Sequence, residues 1–97
     1  MIPTPDFSPA TIARPDKQVL CQHIDDEAIL LNLQNGHYYT LNPVGAEMWK
    51  LLDGTRSIQD IAGILCRIYA AHQDQIEHDM LNLLRECHVE KLVCLGG

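Results

Sequence analysis

The chain has 97 residues, a formal net charge of −6, and a hydrophobic content of 46%. This length suits one domain with one modest core, and this apolar content argues against global disorder. The 7 basic residues are scattered rather than gathered in a stripe, which disfavours nucleic acid as a partner.

The start of the chain and its cysteines indicate a cellular compartment. The N-terminus lacks the charged segment and apolar run of a signal peptide, and no apolar run approaches the ~18 residues that a membrane span needs. The 4 cysteines are therefore expected to be reduced and mostly buried, in a cytoplasmic protein without a membrane partner.

Prolines divide the chain into two parts. Pro3, Pro5, Pro9 and Pro15 all fall in residues 1–16. Proline fixes φ and removes a backbone donor, so this segment is predicted to be a mobile or extended tail. Residues 17–97 then form the domain.

Three β-strands are predicted first, at residues 19–24, 28–33 and 37–41, with a turn at Asp25-Asp26. The dipeptide Asn35-Gly36 predicts a type I′ hairpin turn, because both of its central residues tolerate φ > 0. Such a turn would place Leu33 opposite Tyr38, and Leu30 opposite Leu41.

Three helices are predicted next. Asn42 and Pro43 are typical of an N-cap and a first helical residue, so the first helix should cover residues 44–53. Ser57 and Asp60 indicate a capping box for the second helix, and the third is expected to open near Asp74. The final segment VEKLVCLGG is expected to form a terminal strand or extension.

The order of these elements predicts the fold class. A small antiparallel sheet cannot bury its apolar face alone, and the helices that follow would supply the missing layer. We therefore expect an α+β, winged-helix-like domain, with a three-stranded antiparallel sheet followed by three helices.

Catalytic and metal chemistry find little support in the sequence. It contains no CxxC and no HxxxH, so a metal site is not expected. Nucleophilic catalysis would need a cysteine or serine with a histidine and an orienting group, and Cys21 and His23, which share a strand face, could form a chance pair. We expect a protein that is not an enzyme and has no cofactor.

Binding functions remain open. A winged-helix regulator would use the third helix on DNA, but residues 73–90 hold five acidic residues and one arginine. In a three-stranded meander the third strand is an edge unless something covers it, and a peptide could add there as a further strand or a homodimer could pair there. Leu81, Leu84 and His88 lie on one flank of the third helix, which could line a groove beside that edge.

The stretch LLNLQNGHYYTLNPVGAEMWKLLDG, followed by TRSIQDIAGIL, resembles the PqqD family and, more closely, its relatives in lasso-peptide biosynthesis. The similarity covers about residues 19–93. It departs from PqqD proper at Gln34-Asn35-Gly36, where that protein tends to carry Pro-Glu-Gly. The departure favours a peptide-antibiotic pathway, with a chaperone of pyrroloquinoline quinone biosynthesis or a winged-helix regulator as alternatives.

The resemblance implies a RiPP recognition element. Such a domain is a non-catalytic adaptor that binds the leader segment of a ribosomally made precursor peptide by strand addition. It then delivers the precursor to a modifying enzyme such as a leader peptidase, a cyclase or a radical SAM enzyme. Carried to this chain, the peptide-binding residues are His37, Tyr38, Tyr39, Thr40, Leu41, Leu81, Leu84, Arg85 and His88, with the choice of groove-facing tyrosine open.

Overall fold

The structure, a computed structural model, describes residues 7–95. Its strands and helices follow the chain in the order β1 (Ala13–Pro15), β2 (Val19–Ile24), β3 (Glu27–Asn32), β4 (Tyr38–Leu41), α1 (Pro43–Leu51), α2 (Ile58–Tyr69), α3 (Gln73–Val89) and β5 (Val93–Leu95). Strands β2, β3 and β4 form an antiparallel sheet in that order. The predicted α+β class, with three strands followed by three helices, is confirmed.

The core lies between one face of the β2–β3–β4 sheet and the three helices. Leu30 from the sheet, Met48 from α1, Leu65 from α2, and Met80 and Leu84 from α3 are all fully buried there. Side chains alternate between the two faces of a strand. The opposite face of the sheet therefore carries the side chains that do not enter this core.

The hairpin between β3 and β4 differs from the predicted type I′ turn. Leu31 pairs with Tyr38 and Ala28 with Leu41, which shifts the predicted register by two residues. Gly36 has φ +76°, whereas Asn35 is not among the non-glycine residues with positive φ, so a four-residue loop replaces the two-residue turn. A shift of two residues preserves the alternation, so each side chain keeps its predicted face.

The beginnings of the helices largely match the sequence prediction. The Asn42 side chain accepts the Gly45 N–H at 2.8 Å, and Ser57 forms the predicted capping box with Asp60. The prediction for α3 was wrong by two residues. Its N-cap is His72, whose side chain makes no capping hydrogen bond.

Residues 1–16 were predicted to be a mobile or extended tail, but residues 7–16 pack against the domain. Residues 1–6 lie outside the described part of the chain. Strand β1 pairs antiparallel with β5, which confirms the terminal strand and gives it an unforeseen partner. Phe7 and Ala13 are buried in the core. The prolines do not prevent this packing, because their carbonyls still accept hydrogen bonds: the Pro9 oxygen accepts the Gln59 N–H at 2.8 Å.

All 4 cysteines lie in the described part of the chain and are unpaired. Cys87 is buried, but Cys21, Cys66 and Cys94 are half-buried, so the expectation of mostly buried thiols was wrong. Among the described residues, the longest apolar helical stretch falls short of what a membrane crossing requires.

Candidate peptide-binding site

Among residues 7–95, no strand pairs with the outer side of β4, so β4 has an open edge there. It pairs with β3 on one side and is the last strand of its sheet. The Asn32 N–H donates to the His37 oxygen at 2.9 Å, and hydrogen-bonded pairs alternate along an antiparallel ladder. Tyr39 and Leu41 therefore bond to β3, whereas Tyr38 and Thr40 point their N–H and C=O groups outwards. The open edge offers four main-chain groups to an added strand.

The two tyrosines of β4 face opposite sides of the sheet. Tyr38 points to the outer face and is 70% exposed. Tyr39 is half-buried and packs against the core on the inner face, near the end of α3. The structure thus answers which tyrosine lies beside α3, which the sequence left open.

A groove runs between β4 and α3, and we call it the β4–α3 groove. Its first part is a cavity of about 420 Å³ between the end of β4, the start of α1 and the middle of α3. Its second part, of about 370 Å³, lies between Tyr39 and the last two turns of α3. Glu86 lines both cavities. The α3 residues that line them are Asp79, Met80, Asn82, Leu83, Arg85, Glu86, Val89 and Glu90.

The flank of α3 that lines the groove is not the flank predicted from the sequence. Leu84 is fully buried in the core. The His88 ring stacks edge-on against Phe7, with the ring centroids 5.6 Å apart, and Leu81 packs partly against the core. None of these three residues is among those lining the two cavities, whereas Leu83 and Arg85 are.

The structure brings together five of the nine predicted site residues at β4 and the groove. Tyr38 offers main-chain groups at the open edge, and Tyr39, Thr40, Leu41 and Arg85 line the cavities. His37 is exposed immediately before β4, and its carbonyl accepts a hydrogen bond from the Asn32 N–H of β3.

Carboxylates dominate the charge of the groove. Asp79, Glu86 and Glu90 line it against the single guanidinium of Arg85. The carboxylate of Glu90 interacts with the Tyr39 hydroxyl and, together with burial, raises the pKa of Tyr39 to about 12. The phenol therefore remains a neutral hydrogen-bond donor in this part of the groove.

Asn32 ties the two walls of the groove together. It is one of the few buried polar residues, and its side chain bridges two elements. The amide nitrogen donates to the Glu90 carbonyl at 3.3 Å, and the amide oxygen accepts the Gln34 N–H at 2.9 Å. Because Asn32 ends β3, this contact fixes the last turn of α3 against the β3–β4 hairpin.

Cys21 and Cys87 lack the features of an activated nucleophile. The Cys21 sulfur lies 3.5 Å from the His23 Nε2, but burial raises the pKa of Cys21, and this disfavours the thiolate that a nucleophile needs. Burial also raises the pKa of Cys87 to about 12. Within residues 7–95, no group of three or more side chains is placed to hold a metal ion.

Known proteins match this architecture. The sequence model of the family described as Coenzyme PQQ synthesis protein D (PqqD) matches residues 27–93, which is more than half of the chain. The chain belongs to the PqqD family. No curated protein gives a significant sequence match.

Three solved structures share the fold. The chain is 32% identical to TbiB1, solved in complex with the TbiA(beta) leader peptide, with a TM-score of 0.75 over 82% of this chain and 93% of that one. Lasso peptide synthetase B1, complexed with the leader peptide, is 22% identical with a TM-score of 0.74, covering 84% and 96%. The PqqD truncation of Methylobacterium extorquens PqqCD, described as a functional and stand-alone RiPP recognition element, is 24% identical with a TM-score of 0.79, covering 92% and 95%.

Sequence reasoning missed the groove residues Leu83, Glu86 and Val89. Leu83 and Val89 are not among the residues predicted for the site, and Glu86 was considered only as one of the five acidic residues of 73–90. The helical periodicity identifies the buried stripe but does not tell which of its two flanks faces β4. The sequence does show Val89 as an apolar residue on an otherwise polar face of the third helix, and the structure leaves its side chain 67% exposed.

Proposed function

We propose that this PqqD-family chain binds the leader segment of a ribosomally synthesised precursor peptide as a strand added to β4. The observation that carries the proposal is the open edge of β4 beside the β4–α3 groove. Main-chain bonds to an edge strand give affinity, and side-chain pockets give selectivity. TbiB1 and lasso peptide synthetase B1, which share this fold, were solved with leader peptides.

Strand β4 is a better site for strand addition than β2, the other edge of the sheet. Both strands have outward main-chain groups, because the Leu33 N–H donates to the Gln18 oxygen and so sets the alternation along β2. Only β4 runs beside the cavities lined by α3. A peptide on β4 can therefore insert alternate side chains into the groove, which adds selectivity to the main-chain bonds.

The role of the chain in this proposal is delivery rather than catalysis. The bound precursor would be presented to a modifying enzyme such as a leader peptidase, a cyclase or a radical SAM enzyme. The raised thiol pKa values of Cys21 and Cys87 support a non-catalytic role. The unpaired cysteines are consistent with the cytoplasm, where ribosomal precursors are made.

The charge of the groove suggests what the leader carries. Three carboxylates face one guanidinium in the cavities, which favours a leader with a basic residue at that point. Leu83 and Met48 supply apolar surface in the first cavity, which favours an apolar leader side chain there.

A second candidate is a peptide chaperone of pyrroloquinoline quinone biosynthesis, because the matching family is described by that pathway. It would use the same edge and groove, and only the peptide would differ. The loop Gln34-Asn35-Gly36 favours the peptide-antibiotic setting over this one. The winged-helix regulator is disfavoured, because the exposed face of α3 is acidic and would repel phosphate.

A pair of charge substitutions on α3 tests the site. Leu83 and Leu81 are both half-buried on the same helix, but Leu83 lines the first cavity and Leu81 lies on the opposite flank. We expect Leu83→Glu to weaken the binding of a fluorescent leader peptide by roughly tenfold or more, since a carboxylate would be desolvated in the groove. Leu81→Glu is the matched control, and its affinity should stay within about twofold of the parent chain if folding is retained.

Circular dichroism checks that both variants are folded. If Leu81→Glu, rather than Leu83→Glu, abolishes binding, the peptide lies on the flank that the sequence first indicated. If both folded variants bind like the parent chain, the β4–α3 groove is not the site.

A further inference from the structure

The outer face of the β2–β3–β4 sheet, which points away from the core, is apolar. The strand register places Leu20, Leu31 and Tyr38 in one row across the three strands. Ile29 lies in the next row, and Ile24 near the end of β2. Side chains on one face of a sheet are direct neighbours along such rows, so these residues form a single surface. We call it the outer patch: Leu20, Ile24, Ile29, Leu31 and Tyr38.

The outer patch is open to solvent. Leu20 is 55% exposed, Ile24 50% and Tyr38 70%. The polar residues beside it on the same face, Gln22 and Thr40, carry no charge, and Glu27 lies at the margin opposite Ile24. An apolar centre with charge confined to its margin is the pattern of a protein interface.

The size of the patch limits what can cover it stably. Two strands of six residues and one of four, about 4.8 Å apart, give a face of roughly 250 Å². A stable complex buries about 800 Å² on each partner. Two copies of the chain joined by this face alone would therefore bind weakly, which argues against a homodimer as its occupant.

The patch is continuous with the proposed peptide site. Tyr38 contributes its side chain to the outer patch and its main chain to the open edge of β4. A partner held on the same precursor would meet the patch at an effective concentration near the millimolar range, so a small contact would suffice. The enzyme that acts on the rest of the precursor meets this condition.

We propose that the outer patch is the docking surface for the modifying enzyme, which engages it through a complementary apolar surface while the leader occupies β4. This inference rests on the proposed leader-binding function. It adds that the two faces of one sheet have different binding functions. The inner face and edge select the peptide, and the outer face recruits the enzyme.

The double variant Leu20→Glu/Ile24→Glu separates the two functions. Both residues lie on β2, the strand farthest from the peptide edge, so leader binding should be unchanged. Ile68→Glu is the matched control, because Ile68 is an apolar residue of similar exposure, 61%, but lies on α2. The probes are a fluorescent leader peptide, and the full precursor with the recombinant modifying enzyme encoded beside this chain.

We expect the double variant to bind the leader within about twofold of the parent chain and to lose roughly tenfold or more of the enzyme-dependent modification rate at limiting enzyme. Ile68→Glu should retain both activities. A double variant that supports modification as well as Ile68→Glu overturns the inference while leaving leader binding intact. If the parent chain sediments as a dimer and the double variant as a monomer, the outer patch binds a second copy of the chain, and the inference is likewise overturned. Absence of leader binding by the parent chain would refute the proposed function first, and the inference with it.

Discussion

Replacing Thr40 with proline removes one main-chain donor from the open edge of β4 without touching its ladder with β3. Thr40 is opposite Ile29 at a pair that exchanges no hydrogen bonds, so its N–H points outwards. Proline is tolerated on an edge strand when its missing N–H faces solvent. The fold should therefore survive, while an added strand loses a hydrogen bond.

The size of the loss follows from the geometry of the edge. Tyr38 and Thr40 offer four main-chain groups, and each hydrogen bond contributes about 1 kcal/mol net. Proline removes one bond and leaves the peptide carbonyl without a donor, which costs about 1–3 kcal/mol. Leader affinity should fall roughly 5- to 150-fold, because each 1.4 kcal/mol is about a factor of ten.

The assay is fluorescence polarisation with a labelled leader peptide, with circular dichroism as the check on folding. Thr40→Ala keeps the N–H and should bind within about twofold of the parent chain. His23→Pro is the matched control on the other edge, because the His23 N–H also points outwards, from β2. Strand addition at β4 is refuted if Thr40→Pro binds the leader as tightly as the parent chain does. If only His23→Pro loses affinity, the leader adds to β2 instead.

Three further predictions concern the supports of the groove and the fold. Glu90→Gln should lower the pKa of Tyr39 from about 12 towards its ordinary value of 10.0, so phenolate absorbance should appear at lower pH than in the parent chain. The raised pKa stabilises the folded parent chain below pH 10, and this stabilisation is lost as pH rises towards 12, so the variant should lose less stability than the parent chain over this range. Identical titrations of the two chains would exclude the contact between Glu90 and Tyr39. Asn32→Ala should lower the free energy of unfolding by about 1–3 kcal/mol in urea and also weaken leader binding, since the Glu90 carbonyl loses its donor; unchanged affinity would show that this tie does not shape the groove. Ser57→Ala should cost about 1 kcal/mol of unfolding free energy through the lost cap of α2 and leave leader affinity unchanged, and an unaltered urea midpoint would refute the capping role.

Local sequence signals predicted the helices and strands well. Features that depend on contacts between distant parts of the chain could not be predicted from them. The caps at Asn42 and Ser57 are made by residues three positions apart, so the sequence contains both partners. The pairing of β1 with β5 joins opposite ends of the chain, and no local pattern in the proline-rich segment predicts this pairing. The Asn-Gly signal identified the hairpin but not its loop length, because the Gly36 N–H bonds to the Asn32 oxygen and closes a longer loop.

The candidate site was predictable at its edge but not at its wall. Strand order alone made the third predicted strand an edge, and the two-residue shift in register left Tyr39 and Leu41 on the inner face. The wall depends on how α3 crosses the sheet. That crossing brings Leu83 and Glu86 to the groove and turns Leu81 and His88 to the opposite flank.

Binding of a leader peptide by this chain is tested most directly by a titration. A fluorescent leader from the precursor encoded beside this chain is titrated with the full chain, and a scrambled peptide of the same composition serves as the control. We expect saturable binding at micromolar concentration or tighter for the leader and at least roughly tenfold weaker binding for the scrambled peptide, equivalent to about 1.4 kcal/mol. A folded chain that binds neither peptide, or binds both equally, would contradict this expectation.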